Sequence, residues 1–147
     1  MAEFAFAPVQ IVEPNQNILL DTVIPCNKGY VFHRDQSGIV ILRGITNNCF
    51  ARYQVTFNGN IALPEDATAV VPISIALAID GEPVQTSRAI YTPAAVDEYG
   101  NVTSTAIVTV PRGCCFTIAV ENTSAVVDGV APAINVQNAN MTVSRIA

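Results

Sequence analysis

Charged residues are scarce in this sequence: Asp, Glu, Lys and Arg make up 13% of its 147 residues, while 50% are hydrophobic. Lys28 is the only lysine, and the arginines stand singly along the chain, so no basic stripe is available to neutralise a row of phosphates. The formal net charge is −5. We therefore expect no nucleic-acid partner and a surface that is largely neutral and polar or covered by a partner.

Long apolar runs are missing as well. The apolar residues occur in short runs, far below the ~20 consecutive residues that a membrane helix needs, so we expect no membrane insertion. Glu3 and Pro8 interrupt the start of the chain, which lacks the basic and apolar regions of a secretory signal. This predicts synthesis in a cytoplasm, and the length predicts one domain over residues 1–147.

Catalytic and metal-binding patterns are absent. The single histidine, His33, has Asp35 nearby but no nucleophile motif, so we read it as a hydrogen-bonded or solvated surface residue without a catalytic role. The acidic pairs 65–66 and 97–98 lack the alternating spacing of a calcium loop. We therefore predict that the protein is not an enzyme and has no cofactor or metal.

The four cysteines form neither a C-x-x-C pair nor a Cys/His cluster with zinc spacing. They are Cys26, Cys49, Cys114 and Cys115. A cysteine is often simply a small buried residue, so we predict free, mostly buried thiols, with one or two disulfides as the alternative.

Tryptophan is absent, which argues against a carbohydrate-binding platform. Tyr53 alternates with Val55 and is predicted to lie in the core. Tyr91 and Tyr99, in a predicted exposed loop over residues 91–102, are then the remaining candidates for a glycan contact.

Helical periodicity is also nearly absent, whereas strand patterns rich in Val, Ile, Thr, Phe and Tyr are frequent. The clearest predicted strands are 38–44, 51–59, 73–79, 103–110, 115–122 and 138–147, with weaker ones at 18–24, 29–34, 84–91 and 133–137. Predicted turns lie at Asp80-Gly81, at Asn58-Gly59 and at 111–113. This pattern predicts an all-β fold, with a sandwich, a jelly roll and a barrel all open.

The segment "ISIALAIDGEPV", residues 73–84, has an unusual second face. Isoleucine and leucine occupy one parity, while Ser74, Ala76 and Ala78 occupy the other. A solvated face would carry longer polar side chains, so the small residues indicate close packing against something. A loop of the same chain and another subunit both satisfy this pattern.

The N-terminal segment, residues 1–17, combines apolar residues with Pro8 and Pro14, which exclude a continuous helix. Its apolar side chains must be buried somewhere. It is either an extended attachment arm that uses Phe4, Phe6, Val9, Ile11 and Val12, or the first strand of its own sandwich.

Four segments resemble the tumour-necrosis-factor-like, or complement-globular-head-like, jelly roll found in bacterial and phage proteins. They are "ARYQVTFNGNIALPEDA", "ISIALAIDGEPVQTSR", "STAIVTVPRGCCFTIAVENTS" and "INVQNANMTVSRIA". The resemblance implies an antiparallel jelly-roll sandwich that forms a homotrimer around a threefold axis, each subunit offering one sheet to its neighbours. On that basis we expect Ser74, Ala76 and Ala78 to lie at the trimer interface.

The resemblance also favours a structural role. We expect a trimer that decorates or reinforces a larger assembly, most plausibly a phage capsid whose major capsid protein is the partner, which places the protein on the virion. The alternatives are a spore or cell-surface coat component and a carbohydrate- or receptor-binding tip.

Overall fold

Two antiparallel six-stranded sheets pack face to face in the computed structural model, which describes residues 2–24, 29–127, 129 and 131–147. Sheet A has the order β10-β6-β12-β1-β3, with β2 paired to β12; sheet B has the order β4-β5-β11-β7-β8, with β9 paired to β7. The strands are β1 Ala2–Phe6, β2 Gln10–Val12, β3 Thr22–Ile24, β4 Val31–His33, β5 Val40–Arg43, β6 Phe50–Ala62, β7 Ile73–Ile79, β8 Glu82–Pro83, β9 Ala89–Tyr91, β10 Gly100–Pro111, β11 Cys115–Asn122 and β12 Ile134–Arg145. The predicted all-β antiparallel sandwich is confirmed.

One apolar core fills the space between the sheets. The long strand β6 alternates strictly, so that Tyr53, Val55 and Phe57 point inward and are fully buried. The predicted burial of Tyr53 is therefore confirmed, and its hydroxyl donates to the carbonyl of Arg43 at 2.5 Å. No helix in the described part of the chain is long and apolar enough to cross a membrane.

Two of the three predicted turns are present. Asp80 and Gly81 have φ values of 50° and 85° in the hairpin between β7 and β8, as a primed two-residue turn requires. Residues 111–113 turn the chain from β10 into β11, closed by a bond from the Cys114 amide to the Pro111 carbonyl.

The predicted turn at Asn58-Gly59 is wrong, because both residues lie inside β6. A bulge in the neighbouring strand β12, between Gln137 and Asn140, occurs opposite this position. A Cβ on Gly59 would lie 3.0 Å from Cζ of Phe57 and 3.5 Å from Cα of Ala139. Glycine therefore serves close packing here and not a reversal of the chain.

The N-terminal segment is the first strand of its own sandwich, and the attachment-arm interpretation is wrong for its buried residues. Strand β1 lies between β12 and β3, with Phe4 opposite Met141. Phe4 and Val12 are each 2% exposed and belong to the core, and Phe6 is half-buried. Only Val9 and Ile11, at 50% and 67% exposure, remain open to solvent.

The small-residue face of β7 is covered within a single chain, which corrects the interface predicted there. Ser74, Ala76 and Ala78 are each 1% exposed, so they have no surface left to offer a neighbouring subunit. The Ser74 hydroxyl contacts Thr123 Oγ1 at 2.9 Å and accepts from Arg88 Nε at 3.0 Å. Strand β7 is paired on both sides, with β11 on one side and with β8 and β9 on the other.

Candidate functional site

His33 contacts an aromatic ring and a backbone carbonyl. It is 9% exposed, contrary to the expected surface position, and stacks on Phe4 with ring centroids 5.3 Å apart. Its Nε2 lies 2.9 Å from the Ser37 carbonyl oxygen and therefore donates to it. The described His, Cys, Asp and Glu side chains form no cluster of three or more that could hold a metal ion.

Three thiols are free but exposed, which contradicts the predicted burial. Cys49 and Cys114 lie on the two adjacent turns that precede β6 and β11, Cys115 is the first residue of β11, and Cys26 lies outside the described residues. The turns are joined by a bond from the Gly113 amide to the Gly44 carbonyl. These turns place cysteines at an end of the sandwich, where the core does not reach them.

The two tyrosines singled out for glycan contact are both half-buried. The Tyr91 ring packs against the core and over Gly100, where an added Cβ would lie 2.4 Å from the ring. Its hydroxyl donates to the Glu98 carbonyl at 3.4 Å. Gly100 therefore covers part of the Tyr91 ring, and glycan contact at Tyr91 and Tyr99 stays a prediction.

Glu121 is a buried carboxyl on the outer face of sheet B. It is 8% exposed and lies opposite Ala76 in the β11–β7 register. Burial raises the pKa of Glu121 above its ordinary value of 4.5, and the nearby Glu82 carboxylate raises it further. The proton is therefore held more tightly in the folded protein than in the unfolded chain.

Replacing Glu121 by Gln should stabilise the protein at neutral pH. A raised pKa in the folded state gives a stability contribution that is present below about pH 4.5 and is lost as the pH rises through the raised value. Glu121→Gln keeps the uncharged form at every pH, so at pH 7 we expect its melting temperature to exceed that of the wild type by roughly 3 °C, which corresponds to about 1 kcal/mol in a domain of this size.

The difference should vanish at pH 4, as measured by thermal unfolding monitored by circular dichroism. Glu65→Gln, in an exposed loop, is the matched control and should change little at either pH. A Gln variant that is less stable than the wild type at pH 7 would show that the Glu121 carboxylate is favoured as an anion.

The outer face of sheet A carries little charge along β6, β10 and β12 in the described structure, and the Glu3 carboxylate of β1 borders it and accepts a hydrogen bond from the Asn140 side chain. Alternation along β6, β10 and β12 directs one set of side chains outward, and these are exposed or half-buried. We call this set the polar face; its members are Arg52, Gln54, Thr56, Asn58, Asn60, Asn101, Thr103, Thr105, Ile107, Thr109, Gln137, Asn140, Thr142 and Ser144. Arg52 alone among them is charged, whereas a solvated surface of this size would carry about four charged residues.

The side chains of the polar face are held in register across the strands. Thr105, Thr56 and Thr142 form one lateral row, with the Thr56 and Thr105 hydroxyls 3.0 Å apart. Farther along, the Asn101 amide donates to the side-chain oxygens of Asn58 and Asn60 at 3.0 and 3.2 Å. The face is therefore ordered before any partner binds.

Strand β10 borders the polar face and is an edge strand of sheet A. It spans Gly100–Pro111, pairs only with β6 among the described strands, and contains no charged residue. Ile107 projects from it with 62% exposure. Proteins usually protect an edge strand of this length with charges, bulges or a cover. Because β10 has no charged residue, we expect another surface to cover its edge.

Sequence reasoning predicted β6 and β10 but did not single out their outward residues. The signal was present, since "QVTFNGN" and "TSTAIVT" alternate apolar residues with uncharged polar ones. The small residues of β7 were the clearer signal, because small residues indicate close packing more directly than threonine does.

The order of strands in the two sheets defines a jelly roll of the tumour-necrosis-factor type. No protein-family model matches the sequence, and no curated protein matches it. Among solved structures, Eiger TNF from S. frugiperda aligns with a TM-score of 0.66 at 12% identity, covering 100% of this chain and 92% of that one. The globular domain of zebrafish complement 1qA protein gives 0.60 at 10% identity over 96% and 94%, and murine APRIL gives 0.51 at 12% identity over 92% and 98%. The predicted TNF-like fold is confirmed, and at these identities the similarity concerns the fold alone.

Proposed function

We propose that the protein is a non-enzymatic assembly module that forms a homotrimer through the polar face and the edge of β10. The observation that carries this proposal is the low charge of an ordered sheet face that adjoins an uncharged edge strand. In a threefold ring each interface joins two different patches, so the polar face of one subunit would contact the edge of β10 of the next. The threonine and asparagine side chains of the face can both donate hydrogen bonds to that edge and accept them from it. Ile107 supplies an apolar contact within it.

The chemistry of the face favours a copy of this chain over a strongly charged partner. A basic or acidic partner would have to give up the hydration of its charges against a surface that offers almost none in return. Arg52, the one cation of the face, already lies 4.8 Å from the centre of the Phe50 ring. Its charge is thus partly engaged within the subunit.

The Ile107→Arg substitution should convert the trimer into monomers. A guanidinium in the centre of an uncharged interface is desolvated without a partner, which costs several kcal/mol. Sedimentation equilibrium at micromolar concentration should give the mass of three chains for the wild type and of one chain for the variant. Because Ile107 is 62% exposed in the single chain, the variant should keep the wild-type circular dichroism spectrum.

Ile24→Arg is the matched control. Ile24 is 57% exposed and lies on β3, at the opposite edge of sheet A from β10. That variant should remain trimeric. A wild-type monomer at these concentrations, or equal dissociation by both variants, would contradict the proposed interface.

The trimer would serve to decorate or reinforce a larger protein lattice, and we propose the phage capsid as that lattice, with a spore or cell surface as the alternative. Support comes from the TNF-like fold. Co-sedimentation tests it. The wild-type trimer should pellet with heads of the phage whose genome encodes it at a fixed stoichiometry, whereas pelleting with spores or cell envelopes alone would favour the alternative.

A further inference from the structure

A groove of about 500 Å³ lies among the loops at one end of the sandwich. Its walls come from the segment after β6, with Leu63, Pro64 and Ala67, and from the segment before β12, with Pro132 and Ala133. These side chains are apolar, and Leu63 is fully buried at the base. The size and lining are those of a site for a small organic molecule.

Hydrogen bonds fix both walls of the groove. The amide of Ala67 donates to the Pro64 carbonyl at 3.0 Å and closes a tight turn. On the other side, Asn122 is 1% exposed, and its amide nitrogen donates to the carbonyls of Val12 and Pro132 at 3.0 and 3.1 Å. A ligand would therefore meet a largely preformed site.

Two carboxylates stand at the mouth of this apolar groove. Glu13 and Asp66 line it, both are exposed, and neither carboxylate has a salt bridge or hydrogen bond to another described residue. The loop at 97–98 adds two more acidic residues beside the groove, because the Asp97 amide donates to the Leu63 carbonyl at 2.9 Å. A concave site lined by one sign of charge concentrates ligands of the opposite sign.

We propose that this groove binds a small organic cation with a compact apolar body, the body lying against Leu63, Ala67 and Pro132 and the charged end lying between Glu13 and Asp66. A metal ion fits less well, since no three of the described acidic, Cys or His side chains come together closely enough to hold one. A long acidic or neutral ligand would leave the two carboxylates without a counter-charge. The groove shares no residue with the polar face, so this inference goes beyond the proposed assembly function and its test does not depend on the oligomeric state.

The test uses three probes that share one apolar body: 1-adamantylammonium, 1-adamantanol and adamantane-1-carboxylate. They are titrated into the isotope-labelled wild-type protein, and the amide signals of Leu63, Ala67 and Ala133 are followed by NMR. The ammonium probe should shift these signals and bind about tenfold more tightly than the alcohol, because each carboxylate attracts it at short range in a partly dry site. The carboxylate probe should not bind measurably.

Substitutions test whether Glu13 and Asp66 cause the preference for the ammonium probe. The double substitution Glu13→Gln with Asp66→Asn should reduce the affinity for the ammonium probe to that for the alcohol. Glu65→Gln removes a neighbouring carboxylate that does not line the groove, and it should leave the affinity within about twofold of the wild type. Ala133→Leu should fill the groove and abolish binding of all probes.

Three results would overturn the proposal: equal affinity for the ammonium and alcohol probes, no shift at these amides with any probe, or saturable shifts at the same amides with calcium chloride alone. A peptide that ends in lysine and displaces the ammonium probe would show that a protein side chain is the natural cation, which contradicts the small-molecule assignment.

Discussion

Deleting residues 2–12 should abolish folding of the subunit. The deletion removes β1, which lies between β12 and β3, and with it Phe4, a core residue that is 2% exposed. It also leaves the inward side chains of Met141 and Val143 on an uncovered strand edge. The purified protein should lack a cooperative thermal transition by circular dichroism and show poor amide dispersion in NMR spectra.

Single substitutions distinguish the interpretation of this segment as a core strand from its interpretation as an attachment arm. Phe4→Ala should lower the free energy of unfolding by about 3–5 kcal/mol, the usual cost of removing a buried phenyl group. Ile11→Ala, at a residue that is 67% exposed on the same segment, should stay within about 0.5 kcal/mol of the wild type. A deletion variant that folds and trimerises normally would restore the attachment-arm interpretation.

Replacing Gly38 by Ala should be among the most damaging one-carbon changes in the chain. An added Cβ would lie 1.8 Å from the Ile18 carbonyl oxygen and 2.9 Å from its carbonyl carbon. That backbone cannot simply withdraw, because the Ile18 amide donates to the Val120 carbonyl at 2.8 Å and the Ile18 side chain is fully buried. We expect a loss of about 3 kcal/mol, which lowers the melting temperature by roughly 10 °C.

Gly81→Ala provides the comparison. Gly81 has φ of 85° and nothing within 4 Å of an added Cβ, so only the left-handed backbone is penalised. Its cost should be about 1 kcal/mol. If chemical denaturation ranks Gly81→Ala as the more damaging of the two, the segment that contains Ile18 does not pack against Gly38 as described.

Local patterns in the sequence were sufficient for the elements and the fold class. β-Branched residues in short runs, separated by turn residues, predicted β7 and β11 with their observed bounds. Asp80-Gly81 predicted the hairpin that follows β7, because few residues other than these adopt positive φ. The order of the segments predicted the TNF-like jelly roll that the strand topology then confirmed.

The same patterns failed wherever the answer depended on residues distant in the chain. Asn58-Gly59 has a turn composition, yet both residues pair with β10 and Asn58 also pairs with β12, so the segment continues as a strand. The thiols of Cys114 and Cys115 were expected inside, yet their turn lies beyond the end of the core.

The sequence alone determined the alternation of side chains along the strands of this protein. Each strand has one apolar face, and the other face carries exceptionally little charge. Which of those second faces remains open was decided by the tertiary structure. The small residues of β7 are buried within the single chain, where β7 is paired on both sides, whereas the uncharged residues of β6, β10 and β12 stay exposed or half-buried. The physical reason is that the alternation of side chains along a strand is a local property of the backbone. The exposure of a side chain depends instead on which segments pack beside and above it, and those segments are far away in sequence.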